Sequence, residues 1–390
     1  MTKIKKWIAL LLIPLFKLFK NKEIWVMGAS QGKKFTDNGA VLYKYLLKNR
    51  PEIDTYWIIN KDSPDLSKVK STGPFVYKNS IKGNIYVLLA NVLITTHNIY
   101  KDFSDYSADK YSDKFKVFIS HGIEGLKIKA PEHAKIHEIY DLSIAVSEFE
   151  KEIKVNEWNL DGENICVTNL PRYDVLDKHK KNQKEEVKRI FYMPTWCPEY
   201  RSTFDRSYSE LSEDEIEDFK TREYFQKIST FLSHPDLANL LEEKDVEMDV
   251  FFHQSINPFM SEIIKSSPCS ERVSILSNGS HIQKKLIEAD ILISDYSSVV
   301  WDFLYMNKPT IFYQFDQEKH LKTTGTYIKV PEDLFGPVTR SPEETIEEVR
   351  NIIKGEDSYK EKRKDRHSKF FSYDDDQNCR RIVEAILDKK

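Results

Sequence analysis

Short apolar runs alternate along this chain with longer stretches in which apolar positions recur every three or four residues. From Glu23 onward the runs are Ile24–Met27, Thr55–Ile59, Val92–Thr96, Val117–Ser120 and Leu142–Val146. They resume as Arg189–Met193, Asp249–Phe252, Val273–Leu276, Ile291–Ser294 and Thr310–Tyr313. Runs this short and unbroken predict strands buried on both faces. Gly39–Lys48, Thr221–Ser233, Ile282–Glu288 and Val299–Met306 carry helical spacing. Strands alternating with helices predict an α/β fold of parallel sheets with right-handed crossovers. The charged stretch Asp177–Lys188 separates the two series, which predicts two Rossmann-like domains facing a central cleft. The expected divisions are an amphipathic segment at 1–22, an N-terminal Rossmann-like domain at 23–176 and a C-terminal one at 177–345. A charged helical tail, 346–390, is expected to pack back on the body.

The opening segment has a pattern of its own. Trp7–Phe16 is apolar apart from Pro14, and Lys3, Lys5, Lys6, Lys17, Lys20 and Lys22 flank it with no acid among them. The run is roughly half of what a bilayer-crossing helix needs. A secretory signal shares the basic start, but no small-residue cleavage site follows; the chain continues as Lys17, Leu18, Phe19, Lys20. The pattern predicts a helix lying in the membrane interface, with Trp7, Leu11, Leu15, Phe16 and Phe19 inserted and lysines toward anionic headgroups. An ordinary first helix packed on the body is the other reading.

Composition narrows the class. The 390 residues carry 59 Lys and Arg against 62 Asp and Glu, a net charge of −3, which argues against coating nucleic acid through bulk charge. Cys166, Cys197, Cys269 and Cys379 lie far apart with no C-x-x-C pair. That spacing excludes a Cys-only zinc ribbon and points to a reducing compartment.

Candidate chemistry sits where strands end, the place ligands occupy in open α/β sheets. In ISDYSSVVWDFLYMNKPTIFY a strand ends at Ser294, and Asp295, Tyr296, Ser297 and Ser298 form the turn before an apolar helix. Ser297 is placed as the helix N-cap, and the N–H groups of Ser297, Ser298 and Val299 suit a phosphate. Simple helix capping by Asp295 and Ser297 is the alternative. In KVFISHGIEGLK, His121 follows a strand, Gly122 and Gly125 allow close backbone approach, and Lys127 closes the loop. A neutral imidazole there can take a proton from an attacking hydroxyl; a structural strand-end histidine is the alternative. His253 ends another strand, and Pro194 is followed by Thr195, Trp196 and Arg201, groups suited to a phosphate, ribose or base. Neither G-x-x-x-x-G-K-[ST] nor G-x-G-x-x-G occurs, nor H-E-x-x-H nor G-x-S-x-G.

Taken in order, the motifs resemble the CDP-glycerol glycerophosphotransferase family, the teichoic-acid primases and polymerases. The matching stretches are IWVMGASQGKKFTDNGAVLYKYL at Ile24–Leu46, the HG-x-x-x-x-K loop at His121, TNLPRYD at Thr168–Asp174, the PTW loop at Pro194, His281–Asp316 and FGPV at Phe335–Val338. The resemblance implies a fold like the two-domain GT-B glycosyltransferases. It also implies transfer of a polyol phosphate, glycerol phosphate or ribitol phosphate, from a CDP-activated donor to a lipid-linked or growing glycopolymer, with release of CMP. The first domain is then the acceptor side and the second the donor side. His121 becomes the base near the acceptor, with Gly122 and Lys127 beside it. His253 and Ser297–Ser298 become donor-phosphate ligands, with Pro194, Thr195, Trp196, Arg201 and Asp295 completing the donor loops. No metal ligands and no cofactor are implied, Mg²⁺ dependence is left open, and the expected location is the cytoplasmic membrane face. The chain departs from the family pattern at Cys197, where arginine is usual, at Ser120, which precedes the histidine in place of tryptophan, and at Phe251–Phe252, where a basic residue is usual. A GT-B glycosyltransferase using a nucleotide sugar, or a non-catalytic assembly partner, are the alternatives.

Overall fold

The computed structural model describes residues 2–18, 22–103, 111–180, 186–195, 208–266, 270–277 and 282–390. They form two compact units, Met1–Ile123 with Lys129–Lys178 and Lys369–Lys390, and Glu124–Ile128 with His179–Ser368.

The first unit is built on β1 (Glu23–Gly28), β2 (Ile53–Ile59), β3 (Phe75–Tyr77), β4 (Val92–Thr95), β5 (Phe115–Phe118), β6 (Leu142–Ala145) and β7 (Ile165–Val167). They form one parallel sheet in the order β3-β2-β1-β4-β5-β6-β7. The second unit holds β8 (Arg189–Met193), β9 (Glu247–Val250), β10 (Val273–Ile275), β11 (Ile291–Ser294), β12 (Thr310–Tyr313) and β13 (Val338–Thr339). Its parallel order is β10-β9-β8-β11-β12-β13. In both sheets the chain starts in the middle, winds outward, then returns to the other side of its first strand. The order therefore reverses between β1 and β4 and again between β8 and β11, which opens a crevice at the carboxyl ends of those strands.

All ten apolar runs become strands. Of those flanked by neighbours on both sides, β4, β6, β11 and β12 are buried at every residue. The three strands that the sequence pattern does not mark are β3, β7 and β13. Each lies at a sheet edge, is only partly buried and is no more than 3 residues long, so its run is too brief to stand out. The expected helix Thr221–Ser233 is present as Glu223–Leu232, and a separate helix, Glu213–Thr221, precedes it with Arg222 extended between the two. A capping box of Ser212 and Glu215 starts the first of the pair.

The helix Thr2–Leu18 packs one face on the Ile81–Leu89 helix. Ala9 is fully buried there, and Leu10, Leu12 and Ile13 rest against the core of the first unit. The opposite face exposes Ile4, Trp7, Ile8, Leu11 and Leu15, with Trp7 69% and Leu11 78% accessible. The same helix thus carries a packed face and an uncovered apolar face. Phe19 lies outside the described residues, as does the side chain of Phe16. Among the described residues no helix is long and apolar enough to cross a membrane.

The chain re-enters the first unit at Lys369. Ser372 N–H donates to Val146 O at 3.2 Å, and the Asn169 amide donates to Tyr373 O at 2.7 Å. The Asp174 carboxylate then accepts from Asn378 N at 2.8 Å and Cys379 N at 3.0 Å, capping the helix Asn378–Lys389. Those first-turn N–H groups have no partner within their own helix, so a carboxylate is well suited to them.

Candidate active site

In the first unit, His121 stands three residues beyond β5, and its loop is fastened by two distant motifs. Asn38, fully buried, donates its side-chain amide to Ser120 O at 2.7 Å and accepts Arg172 N–H at 3.0 Å. The Arg172 guanidinium donates to the backbone carbonyl of His121 at 2.6 Å and pairs with Asp37 at 3.2 Å. Ser120 Oγ and Gly122 close the turn between them: the hydroxyl donates to Gly122 O at 2.5 Å and accepts Gly122 N–H at 3.2 Å. The T-D-N-G and N-L-P-R-Y-D stretches thereby acquire a physical purpose, which is to fix the backbone that carries the imidazole.

The His121 side chain remains exposed. Surrounding protein atoms nonetheless push its pKa down to about 4, helped by the neighbouring His97 ring and, more weakly, by Lys129 and Arg172, while Asp37 opposes them. An imidazole so placed is uncharged at neutral pH and able to accept a proton. His97, two residues beyond β4, is a functional candidate that motif reading passes over. Its ring stacks on His121 with centroids 5.0 Å apart and planes within 5°. The available signal was the same arrangement that marks His121 and His253, an apolar strand ending in a histidine.

The second unit brings Pro194, Thr195, Asp295, Ser297 and Ser298 to the β8/β11 switch point. Pro194 is buried at the end of β8. Thr195 donates its N–H to Asp295 Oδ2 at 2.8 Å and to Oδ1 at 3.0 Å, and its hydroxyl also donates to Oδ1. Asp295 further accepts Tyr296 N–H at 2.5 Å. Burial pushes the Asp295 pKa up, against the pull of Thr195 and of the positive charge on Lys127. Asp295 and Thr195 therefore lock the β8 and β11 loops to each other and are engaged within the protein. Ser297 and Ser298, half-buried, are what the turn presents outward.

The structure corrects three expectations here. The helix after the turn is Val300–Tyr305 with Val299 at its N-cap, so Ser297 does not cap it, and Ser297 Oγ lies 3.5 Å from Val299 N. Gly125 is not an approach for ligand: a Cβ there would meet the Trp301 ring at 2.5 Å. Lys127 belongs to the second unit, where its charge acts on Asp295 and His320, and not to the first. The segment Glu124–Ile128 is held there by several contacts. Tyr327 N–H donates to Gly125 O at 2.8 Å, Ile128 N–H donates to Gly325 O at 3.2 Å, and His320 Nε2 lies 3.2 Å from Leu126 O. The His320 ring in turn stacks on Tyr296 of the turn, with centroids 3.5 Å apart.

His253 lies three residues beyond β9, half-buried, before the short helix Gln254–Phe259. Gly122 is buried beside His121. Trp196, Cys197 and Arg201 lie outside the described residues. Among the described residues no group of three or more His, Cys, Asp or Glu side chains is arranged to hold a metal ion.

Comparison with known proteins places this geometry. A family model for CDP-glycerol:poly(glycerophosphate) glycerophosphotransferase matches residues 10–388. The minor teichoic acid biosynthesis protein GgaB of Bacillus subtilis (strain 168) is 27% identical over 390 residues, covering 96% of this chain and 40% of that protein. A teichoic acid glycerol-phosphate transferase of Staphylococcus aureus (strain NCTC 8325 / PS 47) is 24% identical, with 98% of each chain covered. The chain thus spans about two-fifths of the first relative and nearly all of the second. Among solved structures, that of the wall teichoic acid polymerase TagF matches with a TM-score of 0.71 at 22% identity, over 99% of this chain and 97% of that one.

Proposed function

The chain belongs to the CDP-glycerol:poly(glycerophosphate) glycerophosphotransferase family, and from that premise we propose that it moves a polyol phosphate from a CDP-linked donor to a hydroxyl of a lipid-linked or growing cell-surface glycopolymer. Glycerol phosphate is the first choice of group and ribitol phosphate the second. The observation that carries this reading is His121, an uncharged and accessible imidazole on a loop that two buried motif residues hold rigid.

The acceptor hydroxyl gives its proton to His121 as its oxygen attacks the β-phosphorus of the donor. The new P–O bond forms as the bond from that phosphorus to the bridging oxygen breaks, and CMP leaves with the electron pair. Charge on the transferring phosphoryl group is met by His253 and the Ser297–Ser298 turn, positioned donors of the kind phosphoryl transfer depends on. Thr195 and Asp295 act as positioning residues for that turn, since their polar atoms already serve each other.

The exposed apolar stripe Ile4, Trp7, Ile8, Leu11 and Leu15, with Lys5 and Lys6 on the same helix, rests on the anionic cytoplasmic face of a membrane, where the acceptor resides.

The decisive experiment is CMP release by the purified chain from CDP-glycerol, CDP-ribitol and common nucleotide sugars, with lipid-linked acceptor. A general base typically contributes about 10²–10⁴-fold, so His121→Asn lowers turnover on that scale with its thermal transition unchanged. Full activity in that variant overturns the assignment of the base. Product formed only from a nucleotide sugar overturns the reaction class.

A further inference from the structure

A second histidine beside the proposed base is held in place by two neighbours. His97 Nδ1 lies 2.8 Å from Thr96 Oγ1 and accepts Ser30 N–H at 3.4 Å. A backbone N–H and a hydroxyl thus hold the ring from two sides.

The loop that supplies Ser30 is itself constrained. Ser30, Gln31 and Gly32 all have left-handed backbone, with φ of 47°, 60° and 79°. The fully buried Asp102 carboxylate anchors that loop by accepting Gln31 N–H at 2.7 Å, and it also accepts the Thr95 hydroxyl at the end of β4. The loop after β1 and the end of β4 are therefore joined through one carboxylate at the switch point of the sheet. The His97 ring projects from that junction, with its face parallel to the His121 ring. A histidine serving only to fill a core would be buried, whereas both of these are exposed.

We propose that His97 is a positioning residue for His121: its ring, fixed by Ser30 and Thr96, is the wall against which the His121 imidazole stacks and which keeps that imidazole oriented and uncharged for proton transfer. The inference rests on His121 being the base. The charged and titratable groups acting on His121 are His97 from the end of β4, Asp37 from the helix Asp37–Asn49, Lys129 from its own loop and Arg172 from the N-L-P-R-Y-D turn. Asp37 is the acid among them and favours the imidazolium. Arg172 holds Asp37 at 3.2 Å and blunts that effect. The surrounding protein atoms oppose it most, and His97 adds to that on the ring face, because two imidazolium rings in parallel contact repel.

The test reads His121 itself and needs no substrate. With ¹³C-labelled histidine in the full chain, the His121 signal is assigned by its loss in His121→Asn, and its titration is followed in the wild type, His97→Phe and His97→Ala. The wild-type midpoint is expected well below the ordinary histidine value. His97→Ala, which removes the stack and the repulsion, raises it by about one pH unit or more, and His97→Phe, which keeps a ring without charge, raises it less. The acid limb of kcat/KM for CMP release moves up by the same amount in each variant. An unchanged His121 midpoint in folded His97→Phe and His97→Ala overturns the proposal. If His97→Ala does not fold, His97→Phe decides it alone. A shifted midpoint in a protein that releases no CMP from any donor leaves the histidine pairing standing and overturns the transferase reading instead.

Discussion

At the tip of β5 the backbone carbonyl of His121 receives one arm of Arg172, whose guanidinium also reaches Asp37. A planar fork fixes both partners at once, and an ammonium cannot reproduce that geometry. Arg172→Lys is therefore expected to keep the fold yet misplace the imidazole, at a cost of about 10²-fold in kcat, as small displacements near reacting groups do. Comparing kcat and thermal midpoint of this variant with wild type checks it; a loss of both together means that the fork is structural only. A second residue-scale feature lies in the other unit. Lys308 is buried and donates to the carbonyls of Ile287 at 2.6 Å and Ala289 at 2.7 Å, and burial pulls its pKa down to about 8 from 10.5. Below pH 8 the amine is charged in both the folded and the unfolded chain. Between about 8 and 10.5 the unfolded chain holds a proton that the folded one has released, so stability contributed by this site rises with pH across that window. Urea midpoints of wild type minus Lys308→Gln, taken from pH 7 to 10, should increase accordingly, and a flat difference would show that the buried amine stays charged.

At the scale of elements, legibility follows burial. Interior strands such as Leu142–Ala145 are sandwiched by neighbours and buried at every residue, so apolar residues dominate them and, Ser143 aside, read as a run. Edge strands such as Val338–Thr339 have no such pressure and leave no run to find. His121, His253 and the D-Y-S-S turn could be picked out because chemistry at strand ends has a recognisable local order. Asn38, Arg172 and Asp174 could not be given their tasks in advance, because each serves a backbone atom distant along the chain: Asn38 holds Ser120, Arg172 holds His121 and Asp174 holds Asn378. The opening helix was legible as amphipathic, yet one sequence cannot say which apolar residues its own protein covers. The structure divides them, with Ala9 inward and Leu11 outward. Leu11→Glu should thus leave the thermal transition unchanged and reduce flotation with vesicles containing anionic lipid, whereas Ala9→Glu should unfold the packing of the helix itself. Equal flotation of Leu11→Glu and wild type would remove the membrane reading of that face.

At the scale of the whole molecule, the two sheets follow one another along the chain, but the two units built on them interleave. Glu124–Ile128 leaves the first unit three residues after His121, is secured in the second by Gly125, Leu126 and Ile128, and returns at Lys129. The helix Asn378–Lys389, from the far end of the chain, buries Cys379, Ile382, Val383 and Ile386 and is capped by Asp174. A fragment ending at Lys178 therefore lacks a helix its own unit requires, and it should show no cooperative thermal transition where the full chain does. A sharp transition in that fragment would mean that the closing helix is dispensable. The same arrangement bears on how the protein is made. During synthesis the first sheet emerges early but waits, uncapped, until all of His179–Ser368 has left the ribosome. Only then can its last helix arrive, so this nascent chain has a long interval in which a chaperone would shield what is still uncovered.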